Sequence, residues 1–561
     1  MTTSPRTRSG GRILVDQLRI HGADMAFCVP GESYLDVLDA LHDVRDELRL
    51  ITCRQEGGAA FMAEAYGKLT GRPGLCFVTR GPGATNASIG VHTAFQDSTP
   101  MILFIGQVGG DVVEREAFQE MDYRRMFGPM AKWVAQIDRA ERIPEFLSHA
   151  FHLAVSGRPG PVVLALPEDM LQSAVVVADA LPYTRVKPHP GAGDMERLRA
   201  LLGTAQTPLV VLGGGDWDAA ACADIRAFVE ANDLPVVCSF RRQDLFDNRH
   251  PNYVGDAGIG IAPALADRIR NADLLLAIGA RLGENPSSGY TLLDIPVPRP
   301  RLVHVYPGAE ELGRVYRAEL MINSGMREFA AQAAALAPVD ASRWQQWTQH
   351  AREGYLANLR HGPMPGPVDL GEIMAFLRAT LPEDTIVTNG AGNYAGWVHR
   401  FYQYTGFRTQ LAPTSGAMGY GVPSAIAAKA VHPERTVVSF SGDGCFLMNG
   451  QELATAAQYG LAVLFIVVNN GMYGTIRMHQ EREYPTRVHG TTLQNPDFAA
   501  LARAYGLHGE VVERTEDFEP ALRRAQASGT AALIEIRIDP EAITTRTSLG
   551  AIRHRAIEGA G

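Results

Sequence analysis

Asp443 and Asn470 are the two residues from which a chemistry can be read most directly. Asp443 lies in Ser439-Phe440-Ser441-Gly442-Asp443-Gly444-Cys445, at the end of one apolar run. Asn470 lies 27 residues further on, in Asn469-Asn470-Gly471-Met472, at the end of another. A strand–helix–strand unit of about that length sets the carboxyl ends of two parallel strands side by side, where open α/β sheets bind ligands. Gly442 and Gly444 let the backbone come close to a phosphate, and the start of a following helix favours negative charge. A carboxylate, a side-chain amide and a nearby carbonyl are hard oxygen ligands; two phosphate oxygens and a water would complete a six-coordinate Mg²⁺. Alone, Gly-Asp-Gly is ordinarily a turn and Asn-Asn-Gly a loop. Paired at this spacing, each behind a strand, they point to a metal–diphosphate site.

Two other stretches carry chemistry. In Leu50-Ile51-Thr52-Cys53-Arg54-Gln55-Glu56-Gly57-Gly58-Ala59-Ala60 an acid, Glu56, follows a strand and opens a helical stretch. It is read either as a helix N-terminal acid or as a proton carrier. Thr414-Ser415-Gly416-Ala417-Met418-Gly419-Tyr420-Gly421-Val422-Pro423 sets an unbranched thioether among glycines. Met418 is read as a filler of an irregular gap at a ligand or of the core, and the glycines as a tight helix entry.

The segment from Gly442-Asp443-Gly444 to Asn469-Asn470 resembles the metal–diphosphate motif of thiamine-diphosphate (ThDP) enzymes. Within them the chain resembles the acetolactate synthase/pyruvate decarboxylase superfamily over essentially its whole length. That resemblance implies ThDP and Mg²⁺ as cofactors, with the metal on Asp443, Asn470 and the main-chain oxygen of Met472 and the diphosphate at Gly442, Gly444 and Cys445. It places Glu56, in the family's Arg-x-Glu-x-Gly-Ala motif, at N1′ of the pyrimidine, where a buried acid with a raised proton affinity would promote the reactive tautomer. By the same resemblance the Gly416 carbonyl takes the 4′-amino proton and Met418 wedges between the two rings. Asn393 and Tyr394 occupy the place of a Gln-His pair that touches the diphosphate. Glu56 and the diphosphate motif of one site come from different subunits in this superfamily, which implies a homodimer or homotetramer.

Further motifs bear on the reaction. Gly81-Pro82-Gly83-Ala84-Thr85-Asn86, Ala117-Phe118-Gln119-Glu120 and Gly157-Arg158-Pro159-Gly160-Pro161-Val162 resemble acetolactate synthase, which puts Phe118 and Gln119 near the reacting carbons. The decarboxylase branch carries a His-His pair where this chain has Gly106-Gln107-Val108-Gly109-Gly110, and its Glu near Ile476 is missing. The expected activity is decarboxylation of a 2-oxo acid followed by addition to an acceptor carbonyl, a carboligase (transferase) reaction like that of acetolactate synthase. The alternative is another ThDP C–C lyase or decarboxylase, such as a 2-hydroxyacyl-CoA lyase. Against FAD, Arg281-Leu282-Gly283-Glu284-Asn285 replaces the Arg-Phe-Asp-Asp-Arg motif of biosynthetic acetolactate synthases; Gly213-Gly214-Gly215 does resemble their flavin-contacting glycines. His479 replaces a gating Trp. Glu32, in Pro30-Gly31-Glu32-Ser33, stands where the acetolactate synthases have a second Gly and the decarboxylase branch has an Asp, and is read as a proton-transfer residue or a helix cap. Arg80, Arg477 and His479 are read as anchors for a substrate carboxylate or phosphate, or as solvated charges. No Gly-x-Gly-x-x-Gly follows a strand, which disfavours a nicotinamide dehydrogenase. A silent subunit would be expected to lack Glu56 or Asp443.

These residues need a scaffold of parallel sheets, and the chain has the length for it. Its 561 residues suggest three or four domains. β-Branched runs alternate with helical patterns, and breakers near 181–190 and 362–367 divide them. The reading is α/β, three consecutive parallel-sheet domains: pyrimidine-binding at 10–180, central at 192–335, and diphosphate/Mg-binding at 366–545. Their likeness suggests a triplication. A formal charge of −9 speaks against a nucleic-acid partner. The six cysteines are scattered without a C-x-x-C pair, which fits neither a disulfide framework nor structural zinc. No secretory signal or apolar span is read, so a cytoplasmic protein with a small-molecule 2-oxo acid as its partner is expected.

Overall fold

The structure, a computed structural model, describes residues 6–559. The chain divides into two compact units, Met1–Val186 with Ile426–Val431, and Lys187–Ala425 with the remainder from His432. The first unit is built on six parallel strands: β1 (Met25–Cys28), β2 (Arg49–Thr52), β3 (Gly74–Val78), β4 (Met101–Gln107), β5 (Trp133–Gln136) and β6 (Pro161–Pro167), in the order β2-β1-β3-β4-β6-β5. β4 and β6 are buried along all seven residues, as expected for interior parallel strands covered on both faces. Helix α1 (Glu56–Thr70) leaves β2, and helix α2 (Gly81–Asp97) leaves β3 and packs on α1. α1 starts where Gln55 accepts a hydrogen bond from the Gly58 amide and stops at Gly71 in left-handed conformation.

The second unit holds two six-stranded parallel sheets. The first comprises β7 (Pro208–Leu212), β8 (Val236–Ser239), β9 (Tyr253–Ala257), β10 (Leu274–Ile278), β11 (Arg301–Tyr306) and β12 (Leu320–Asn323), in the order β9-β8-β7-β10-β11-β12. This is the Rossmann order. Helices α3 (Pro263–Asn271) and α4 (Gln345–Asn358) pack beside its edge strand β9. The other sheet comprises β13 (Ile386–Asn389), β14 (Gln410–Leu411), β15 (Val437–Gly442), β16 (Leu464–Asn469), β17 (His508–Val512) and β18 (Ala532–Arg537), in the order β14-β13-β15-β16-β18-β17. Helices α5 (Ala395–Phe401), α6 (Asp443–Phe446), α7 (Leu453–Gln458), α8 (Gly474–Glu483) and α9 (Leu549–Gly559) accompany it.

The fold class is that read from the sequence: three parallel-sheet α/β layers. The triplication is corrected. The outer two sheets share one strand order, whereas the central sheet is wound differently. Five strands without a long apolar run, β5, β9, β12, β14 and β17, lie at sheet edges. An edge strand is paired on one side only and needs no continuous apolar run; β12, Leu-Met-Ile-Asn, alternates buried and exposed.

Candidate active site

In the second unit β15 and β16 pair in parallel, with Gly442 opposite Val468. Asp443 begins α6 and Asn470 follows β16, so the two meet at adjacent carboxyl strand ends. Asp443 is 3% exposed. Its Oδ1 accepts from the Gly444 amide at 2.9 Å, and its Oδ2 from the Gly471 amide at 2.9 Å and Asn495 Nδ2 at 2.7 Å. Burial pushes the carboxyl above its ordinary value while these donors oppose the shift. Asn470 Oδ1 accepts from the Met472 amide at 3.3 Å. Asn469 fixes the loop from beneath: Nδ2 donates to Glu535 at 2.8 Å, and Oδ1 accepts from the Gly471 amide and Asn495. Asn495 was missed in the sequence because it lies in an irregular loop. It links Asp443 to Asn469, and its buried Oδ1 has no partner among the described residues.

Around these residues lies a cavity of about 240 Å³. Gly442, Asp443, Gly444 and Cys445 line one side, Asn470 and Met472 another, and Gly416 and Met418 a third. A Cβ at Gly442 would stand 2.9 Å from the Tyr394 ring, so the turn has room for a ligand but not for a side chain. Among the described residues no group of three or more His, Cys, Asp or Glu side chains is placed to hold a metal. An ion at Asp443 would therefore rest on one carboxylate, an amide and main-chain oxygen, leaving positions for phosphate oxygens. This donor set, with the unpartnered Asn495 Oδ1, fits a magnesium diphosphate.

Gly416 closes a turn in which its amide donates to the Pro413 carbonyl at 3.0 Å, and its φ of +69° suits glycine. Met418 is half-buried against the core of the third sheet. Asn393 and Tyr394 line the same cavity, but their polar atoms are already engaged. Asn393 donates to the Ile543 carbonyl and accepts from Thr475, and the Tyr394 hydroxyl lies 3.4 Å from Cys445 Sγ. They shape the wall, and their polar atoms point into the protein.

In the first unit Glu56 is the first residue of α1 and is half-buried. Its Oε2 accepts from Asn86 Nδ2 at 2.8 Å, and Gly83 faces its Oε1. The Gln119 carbonyl accepts from the Gly81 amide at 3.0 Å, so Gln119 and Glu56 meet opposite parts of the first turns of α2. Gln119 (φ +64°) lies with Glu114 and Glu116 in a loop of left-handed residues after β4, and Phe118 is 70% exposed beside it. Glu32 is exposed at the start of a short 3₁₀ turn after β1 and makes no capping hydrogen bond among the described residues. All four therefore follow carboxyl ends of strands of one sheet.

The proposed anion anchors divide. Arg80 is paired with Glu168 and donates to the Phe118 carbonyl. Arg477 makes two bonds, 3.0 and 2.8 Å, to buried Glu481. Both carry their own counterion, which corrects the reading of them as substrate anchors; His479 remains exposed. Gly213 and Gly214 are constrained by packing. Gly214 has φ +69°, and a Cβ there would strike the Gly279 carbonyl, while Trp217 donates to the Gly213 carbonyl at 2.8 Å.

Three consecutive segments match known family models: residues 8–126 the N-terminal TPP binding domain of thiamine pyrophosphate enzymes, 195–333 their central domain, and 390–536 their C-terminal TPP binding domain. The chain is 32% identical over 544 residues to the acetolactate synthase large subunit of Corynebacterium glutamicum, covering 94% of this chain and 86% of that one. It is 31% identical over 540 residues to the isozyme 2 large subunit of Escherichia coli (95% and 96%) and 32% over 534 residues to the isozyme 3 large subunit (92% and 92%).

Proposed function

This chain belongs to the thiamine pyrophosphate enzymes and is an acetolactate-synthase-like carboligase or lyase, and from that premise we propose the reaction and the residues that carry it. The substrate is a 2-oxo acid, which is decarboxylated and joined to an acceptor carbonyl. The observation that carries the reading is the meeting of Asp443 and Asn470 at adjacent strand ends beneath a glycine-lined cavity that also holds Gly416 and Met418.

Thiamine diphosphate, when bound, supplies the nucleophilic carbanion and the electron sink for loss of CO₂. This chain's residues do the rest. Asp443, Asn470 and the Met472 main-chain oxygen would hold Mg²⁺, and Gly442, Gly444 and Cys445 would hold the diphosphate. Asn469 and Asn495 position that set. Glu56 holds a proton at the pyrimidine, steadied by Asn86. The Gly416 carbonyl would hold the cofactor's amino group and Met418 would pack against its rings. Gln119 and Phe118 reach toward the acceptor, and Glu32 shares proton handling at the substrate. Glu56 and Asp443 are supplied by different subunits of a homodimer or homotetramer. The reaction is proposed without a flavin, a reading supported by the packing of Gly214 on the Gly279 carbonyl. Among the described residues no helix is long and apolar enough to cross a membrane, and a cytoplasmic site of action accords with that. A C–C lyase or simple decarboxylase is the second reading, favoured only by Glu32.

The test is product analysis after incubating enzyme, ThDP and Mg²⁺ with a panel of 2-oxo acids, with and without aldehyde, 2-oxo acid or acyl-CoA acceptors. A new C–C bond is expected. Acetaldehyde as the sole product from pyruvate would overturn the carboligase in favour of a decarboxylase.

A further inference from the structure

A second, larger cavity of about 670 Å³ adjoins the first within the same unit. The two share Gly392, Asn393, Gly416 and Thr475 in their walls, so the larger one opens onto the end of the small cavity where Gly416 and Met418 lie. Its volume is in the range of a ligand much bigger than a three-carbon acid. Its walls come from the edge of the central sheet, with β9, α3 and α4, and from α5, α8 and the segment 544–547.

The charges on those walls are one-sided. Arg241, Arg268, Arg400, Arg482 and Arg546 line it, against a single carboxylate, Asp256. Exposed arginines elsewhere in the protein commonly bind an acid, as Arg249 does Asp247 and Arg524 does Glu510. Among the described residues Arg268, Arg400, Arg482 and Arg546 make no salt bridge. Arg268 donates to the Trp347 carbonyl and lies over its ring. Arg400 donates to the carbonyls of Asn358, Thr545 and Arg360, and Arg546 to Asn358 Oδ1 at 3.0 Å. Burial and the neighbouring Arg546 bring the Arg400 guanidinium down to about 10, and burial lowers Arg546 as well. Burial raises Asp256 to about 7 against the opposing charge of Arg546, so near neutral pH this one acid is part-ionised and offsets only part of the charge of the five arginines. The Arg400 and Arg546 guanidinium groups repel one another, an anion between them relieves that repulsion, and Arg482 and Arg546 are exposed.

We infer that this cavity holds the distal anionic group of the substrate: the enzyme takes a 2-oxo acid, as donor or acceptor, that carries a second carboxylate or a phosphonate or phosphate remote from the reacting carbonyl. This rests on the carboligase reading above and specifies its substrate class. Arg546 and Arg482 are the members of the cluster least tied to the protein's own backbone. They are therefore the ones free to grip a carboxylate or phosphate through paired N–H donors.

The experiment compares holoenzyme on pyruvate and 2-oxobutanoate, whose tails are apolar, with oxaloacetate, 2-oxoglutarate and 3-phosphonopyruvate, each as donor and as acceptor, reading CO₂ release and the joined product. Wild-type enzyme is expected to prefer at least one anionic-tailed acid by tenfold or more in kcat/KM. The carboxylate and phosphonate arms decide which anion it is. Arg546→Gln and Arg482→Gln should each lower kcat/KM for that acid roughly ten- to a hundredfold, chiefly through KM, with a far smaller change for 2-oxobutanoate. Arg546→Lys should restore part of the loss. Unchanged ThDP affinity and melting temperature in the variants show that the site and fold are intact. Equal handling of apolar and anionic acids by the wild type, or equal losses on both in the variants, overturns this inference alone. No CO₂ from any of the acids overturns the carboligase reading and this inference with it.

Discussion

Glu56 carries the sharpest prediction at the level of single residues. It is held by one partner, Asn86, and its proposed work is proton transfer. Glu56→Gln keeps the shape and removes the ionisation. Turnover should therefore fall by about 10² to 10⁴, while ThDP affinity measured by calorimetry stays within a few-fold. A parallel loss of both would make Glu56 a structural residue at the start of α1. Asn495 makes the complementary case. Asn495→Ala removes one donor from Asp443 Oδ2 and one from Asn469 Oδ1, and should weaken ThDP binding in the presence of Mg²⁺ roughly tenfold. The contrast between the two shows what a sequence can carry. Glu56, Asp443 and Asn470 stand next to glycines and at the ends of apolar runs, so their setting is visible locally. Asn495 acts across 52 residues of chain from an irregular loop, and Asn86 meets Glu56 only because α1 and α2 pack together. Partnerships of that kind exist only in three dimensions. Arg477 differs: its partner Glu481 stands four residues on along α8, a spacing already present in the sequence, and the burial of that partner changes Arg477 from a candidate anchor into part of the scaffold.

At the level of elements, α8 and α9 are joined through Glu481. It accepts from Arg477 and from Arg553 at 2.7 Å, and from the Thr486 amide. The Arg553 bonds lead the causes that hold its carboxyl down to about 2. A folded-state value below the unfolded one of about 4.3 contributes stability that is complete above pH 4–5 and lost as the pH falls toward 2. Glu481→Gln should lower the melting temperature at pH 7 and flatten its dependence on pH between 4.5 and 2. An unchanged slope would mean that the network adds nothing. Half-buried His399 and buried His21, lowered to about 3 and about 4 mainly by desolvation, act higher on the scale. Their contribution is present above pH 6.5 and is lost as the pH drops toward those values. In the central sheet, Gly214→Ala should cost more than about 2 kcal/mol, since it forces a left-handed residue against the Gly279 carbonyl; thermal unfolding reads it directly. Most interior strands and the strand–helix–strand unit at the diphosphate cavity were legible from their apolar runs. The short interior β1, the edge strands other than β2 and the different winding of the central sheet were not, since short and edge strands need no long apolar run and strand order is fixed by packing between segments far apart in the chain.

For the molecule as a whole, the account requires two chains per working site. Glu56→Gln and Asp443→Ala chains, each inactive alone, should complement when co-expressed. In a two-fold dimer of the two kinds, one site receives both intact residues and the other neither. Random pairing then yields about a quarter of wild-type activity. No recovery would place both residues in one chain's site. The purified protein should also lack a stoichiometric flavin absorbance band; a yellow enzyme would contradict the reading of the glycines at 213–215.

The most direct test is a calorimetric titration of the protein with thiamine diphosphate, with and without Mg²⁺. The account predicts saturable uptake of one molecule per chain that depends on the metal, disappears in Asp443→Ala and survives in Glu56→Gln. Failure to bind with magnesium present, or binding undiminished by Asp443→Ala, would contradict it.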